Sequence, residues 1–192
     1  MAQRQRRGQE TIRDMVLSLA AVMAGVLVFV IFVMPRGSDE TAVKVVPTAE
    51  PMAAFARQAS YTPLAPAGLP AEWKATSTQF TLPTGSESGT TAEALIGYVI
   101  DRSGARTYAR LRESNAPDAA QKLLGNRPAR GTVDVDGVPW QARPDDSGHV
   151  AISRTDGDLT VVIDDGGGRG GGATQADQIV LARSLRPVEP TN

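Results

Sequence analysis

Twenty consecutive uncharged residues run from Met15 to Met34, and only Ser18 and Gly25 interrupt the apolar side chains. As a helix this stretch would measure about 30 Å, the thickness of a bilayer's hydrocarbon core. A helix also satisfies every backbone N–H and C=O without water. The run therefore predicts one transmembrane helix over 15–34. Beyond it the apolar rhythm shortens to every second residue. Strands are expected over Trp73–Leu82, Ala94–Ile100, Arg106–Arg112, Thr132–Val135, Val138–Ala142, His149–Arg154 and Leu159–Asp164. Asp136-Gly137 and Asp156-Gly157 supply the tight turns between consecutive strands. In the third strand Ala109 and Leu111 lie on one side and Tyr108 and Arg110 on the other, which suits a sheet with one wet face. Leu159, Val161 and Ile163 face a core while Val162 lies opposite, so the last strand is expected to be covered on both sides.

Two helices punctuate the strands. The first has Asn115 as its cap, Pro117 and Asp118 in its opening turn and Gly125 as its stop. The second spans Thr174 to Leu185, with Thr174 and Asp177 resembling a capping box and Pro187 barring extension. Three strands, a helix, four strands and a helix give an α+β fold. The expected form is a twisted antiparallel sheet of about six or seven strands with one or two helices packed on one face. The organisation reads as a basic tail (1–14), the transmembrane helix (15–34), a Pro/Ala-rich stalk (35–62), a single domain (63–187) and a disordered C-terminus (188–192). Within the stalk, Met52, Phe55 and Ala59 share one face of a possible short helix.

Charge sets the orientation. The tail holds four arginines against two acids, a net of +2, while the residues beyond the helix sum to −3. Basic residues at the start of a first span stay in the cytoplasm, so the tail is expected inside and the C-terminal domain outside the cytoplasmic membrane. A cleaved signal peptide fits less well, because the apolar core is long and Met34-Pro35-Arg36 offers no small-x-small site. There is no cysteine, which excludes disulfides, thiolate catalysis and thiolate metal sites. A net charge of −1 gives no basic footprint for nucleic acid.

Several short motifs carry a resemblance: Gly68-Leu69-Pro70-x-x-Trp73, Ile96-Gly97-Tyr98-Val99 and Val135-x-Gly137-x-x-Trp140, with Arg13-Asp14-Met15-Val16-Leu17-Ser18-Leu19 ahead of them. On these the chain resembles an uncharacterised actinobacterial family of single-pass envelope proteins with a domain of unknown function (4245). The resemblance runs from the start of the span to the last helix. It implies the same topology, and it brings no catalytic residues.

The residues themselves nominate no catalytic, cofactor-binding or metal site. Gly166-Gly167-Gly168-Arg169-Gly170-Gly171-Gly172 follows a strand and precedes a helix, where phosphate loops sit. It lacks the G-x-x-x-x-G-K-[ST] spacing and follows Asp164 and Asp165, so it reads as a surface loop. The pairs Asp134/Asp136, Asp145/Asp146, Asp156/Asp158 and Asp164/Asp165 lack the distant bidentate carboxylate of a calcium loop and read as turn chemistry. His149 is the only histidine, and no G-x-S-x-G elbow accompanies it. Trp73 and Trp140 are expected in the core rather than on a ligand platform. Ala20-x-x-x-Ala24 and Ala21-x-x-x-Gly25 permit, without requiring, a homodimer through the anchor. The expected role is thus a membrane-anchored domain that binds a protein or ligand of the cell envelope without catalysis. The alternative is an envelope hydrolase or transferase using a carboxylate pair drawn from Glu72, Glu87, Glu93 and Glu113.

Overall fold

The computed structural model describes residues 15–20, 22–26, 43–83, 91–125, 127–166 and 171–189. The chain divides into two units, Met1–Ala42 and Val43–Asn192. In the first, residues 15–20 and 22–26 are helical with exposed side chains. Among the described residues no helix is long and apolar enough to cross a membrane. The basic tail, Ala21 and residues 27–34 lie outside the described residues, so the expected span is covered only in part.

The second unit follows the strand pattern closely. Its elements are α1 (Ala49–Ala56), β1 (Leu64–Pro66), β2 (Trp73–Thr81), β3 (Glu93–Arg102), β4 (Ala105–Ser114), α2 (Ala119–Leu124), β5 (Thr132–Val135), β6 (Val138–Pro144), β7 (Val150–Asp156), β8 (Leu159–Asp164), α3 (Gln175–Ser184) and β9 (Leu185–Pro187). Seven strands form one antiparallel sheet in the order β2-β3-β4-β8-β7-β6-β5. It is two meanders joined where β4 pairs with β8, Leu111 standing opposite Ile163. Ser103-Gly104 and Asp136-Gly137 both take positive φ, the backbone twist that matches two-residue hairpins. The short strands β1 and β9 pair separately and tie the C-terminal end of the unit to the segment between α1 and β2.

Strand alternation sorts the side chains into two faces. Ile96, Ile100, Leu111, Ile152 and Ile163 are fully buried on one, beneath Leu181 of α3 and Met52 and Phe55 of α1. On the other, Leu124 of α2 packs over Ala151 and Val162. Helices therefore cover both faces, not one as the sequence suggested. The apolar residue Val162, out of phase with its neighbours, needs its own cover.

Three further expectations change. The segment 43–62 belongs to the folded unit and is not a stalk. Met52 and Phe55 are 1% and 2% exposed, and the Phe55 ring meets those of Phe80 and Tyr61 at centroid distances of 5.1 and 6.0 Å. The Val46 N–H also donates to Ala75 C=O at the edge of β2. Asn115 does not cap α2; Asp118 precedes that helix in a left-handed conformation. The Asn115 side chain instead accepts from Ala92 N–H and donates to Ser60 Oγ, tying β3 and β4 to the N-terminal segment. The capping box of α3 forms, with Asp177 also bound by Arg102 at 2.7 Å. At the C-terminal end the Val188 N–H donates to Pro63 C=O, so the ordered chain passes Pro187, while residues 190–192 lie outside the described residues.

Candidate functional site

The core face is not closed at the end of the sheet where β7 turns into β8. There Trp140 of β6 and Leu159 and Val161 of β8 form an apolar floor, because alternation turns all three to the same side. The chain between α1 and β1 (Ser60, Tyr61, Thr62) and Leu64 make the facing wall, and Arg154, Asp156 and Asp158 the rim. The cleft between them has a volume of about 340 Å³. An apolar concavity with a few polar groups at its mouth is the usual form of a small-ligand site.

Behind this wall lies a buried acid. Glu113 continues the core-facing series of Ala109 and Leu111 on β4, in register with Ala94 on one side and Val161 on the other. It has no exposed surface. The Leu64 N–H donates to both of its carboxylate oxygens at 3.1 Å. Burial pushes the Glu113 carboxyl up to about 8, against the opposing pull of the Leu64 N–H. Glu113 is thus a neutral acid at pH 7. Nearby, the Tyr61 hydroxyl is buried without a hydrogen-bond partner among the described residues, and burial, then the charges of Glu113 and Glu93, raise its pKa well above the ordinary range for a phenol. Without exposed surface, Glu113 does not contact the cleft's contents; it fixes the wall through Leu64.

Of the four candidate glutamates, the three described, Glu72, Glu93 and Glu113, do not assemble a carboxylate pair in the cleft. Glu72 is at the opposite end of β3, 3.8 Å from Arg102. Glu93 is in register with Ser114, whose hydroxyl donates to it at 3.2 Å on the face away from Glu113. Both border a smaller hollow of about 170 Å³, but the carboxylate of Glu113 turns to Leu64 on the core side. Glu87 lies outside the described residues. On the α2 face, Asp164 is nearly fully buried between Arg110 (2.8 Å) and Arg112 (2.5 Å). Burial raises its pKa, but the two guanidinium groups and the Gly166 N–H outweigh that and hold the carboxyl below its ordinary value. This is a structural network, with every oxygen satisfied.

A family profile described as "Protein of unknown function (DUF4245)" matches residues 7–185, nearly the whole chain. The chain belongs to the DUF4245 family. No curated protein sequence and no solved structure gives a match to it.

In this DUF4245 member, Trp73 and Trp140 are both core residues, 8% and 4% exposed, although Trp140 also reaches the cleft floor. The acidic pairs do not converge on a metal: among the described residues no group of three or more His, Cys, Asp or Glu could hold one. Asp134 accepts from Gly137 N–H, Asp136 pairs with Arg183 at 2.8 Å, and Asp145 accepts from Ser147 and His149 N–H. The His149 imidazole, about half exposed, meets Asp165. Residues 167–170 of the glycine run lie outside the described residues. At its end Gly172 bridges to Tyr108 of β4, flanked by hydrogen bonds from Tyr108 N–H to Gly171 C=O and from Ala173 N–H to Tyr108 C=O. A Cβ at Gly172 would stand 2.4 Å from the Asp165 Cβ. Gly172→Ala is therefore expected to cost about 1–3 kcal/mol, read as a lower midpoint in chemical denaturation; an unchanged midpoint would show that the bridge yields freely.

Nothing along the sequence announced the cleft, because its residues come from segments some 80 to 100 positions apart. Glu113 did have a signal: two residues beyond Leu111 on an alternating strand, it falls on the buried side.

Proposed function

We propose that this chain is a single-pass protein of the cytoplasmic membrane, with its tail inside and its Val43–Asn192 unit outside, where that unit binds a ligand or partner of the cell envelope without catalysis. The uncharged run 15–34 and the excess of arginine before it support the anchoring and its direction. The cleft between the Ser60–Leu64 wall and the Trp140–Leu159–Val161 floor carries the binding reading. Its contents would meet apolar surface and a charged mouth, a combination that holds and orients a molecule. Tethering adds to this by confining the site near other membrane-bound components and raising their effective concentration.

The anchoring half is tested by fusing an alkaline phosphatase or a fluorescent protein to the C-terminus. The proposal expects an active phosphatase, a dark fluorescent protein and retention of the chain in carbonate-washed membranes. A bright cytoplasmic fusion would remove it.

A further inference from the structure

We propose that the cleft takes an organic cation, a molecule with an apolar body against Trp140, Leu159 and Val161 and an amine at the mouth beside Asp156 and Asp158. This rests on the ligand-binding reading of the same cleft and adds the chemical class of the ligand. The floor is uncharged and apolar, with Trp140 and Val161 each 4% exposed and Leu159 half-buried, so it selects an apolar body. The mouth carries two carboxylates against one guanidinium. The Arg154 charge is already committed, because its Nη2 lies 2.6 Å from Asp156 Oδ2. Asp158 has neither an ion pair nor a hydrogen bond among the described residues, which leaves one uncompensated negative charge at the opening.

The acidity extends beyond the cleft. Across the same β7–β8 turn a second hollow, of about 410 Å³, shares Asp158, adds Asp118 and has no cationic side chain in its lining. A field of one sign on both sides of the turn draws cations toward the opening and repels anions. Two carboxylates beside an arginine are a poor donor set for a divalent ion, which takes six or more oxygens. An ammonium group needs only a charge and a few acceptors, and its apolar body supplies the remaining affinity. An anionic ligand would have to displace Asp156 from Arg154 while facing Asp158.

The test uses the full chain in phosphatidylcholine vesicles at pH 7 and low salt, titrated with phenethylamine, 2-phenylethanol and 3-phenylpropionate, which share a phenyl body. Tryptophan fluorescence is the readout, since Trp140 floors the cleft, and protein-free vesicles correct for partitioning. The amine is expected to saturate about three- to tenfold more tightly than the alcohol, with the acid weakest. Asp158→Asn should remove most of that advantage and leave the alcohol unchanged, while its circular dichroism and melting match the parent. Equal binding of all three would overturn the cationic class and leave the cleft as a site for apolar bodies. Failure of all three to saturate would remove the ligand-binding reading as well.

Discussion

Glu113→Gln is expected to make the folded unit more stable at alkaline pH and to leave it nearly unchanged at pH 4. The sign follows from linkage. In the unfolded chain this carboxyl titrates near 4.5, and in the fold at about 8. Below 4.5 both states keep the proton and Glu113 contributes no pH dependence. Between 4.5 and 8 the unfolded chain releases a proton that the fold retains, so stability falls as pH rises and levels off above 8. Glutamine keeps the shape and still accepts from Leu64 N–H, but it has no proton to lose. The difference between variant and parent should therefore grow to a ceiling of about 4–5 kcal/mol at pH 9. For a unit of this size that is a rise of about 10–20 °C in melting temperature. Melting curves at pH 4.5, 7 and 9 check it; parallel curves for the two proteins would mean that Glu113 titrates normally.

Phe55→Ala should be the most damaging single truncation in the N-terminal segment. Its ring is 2% exposed and meets both Phe80 and Tyr61. Removal of a buried phenyl group costs about 3–5 kcal/mol in lost transfer energy and residual cavity. A stalk residue in the same position would cost nothing, so thermal unfolding of the full-length variant separates the two descriptions directly. The loss should also loosen the wall of the cleft, because Tyr61 packs against the ring that disappears.

The seven strands of the large sheet were legible because alternation and the Asp-Gly turns act over a few residues. Leu159–Asp164 even showed that it needed cover on both sides, through Val162. What was missed depends on distance along the chain. Pro47 and Pro51 made 43–62 look like a spacer, yet Pro51 is the third residue of α1, where its missing N–H would have had no intrahelical partner. Of the two rings that meet Phe55, Tyr61 is only six residues on, but Phe80 lies on β2, beyond any local pattern. β1 and β9 are three residues each, both end in proline, and exist through their pairing with one another. Asn115 has the right chemistry for a cap, but its side chain is occupied by Ala92 and Ser60. The site was less visible than the fold, since no local rule brings Tyr61, Trp140 and Asp158 to one opening.

The junction between the two meanders has a bearing on how the chain is made. β4 ends at Ser114, but the strand that covers its free edge begins only at Leu159. While the ribosome adds the intervening residues, a nascent chain carries an unsatisfied row of backbone donors and acceptors beside Leu111, the kind of edge on which other chains can stack. A product interrupted before Leu159 would keep that edge indefinitely, and inclusion bodies rather than a smaller soluble fragment are the form in which it should accumulate.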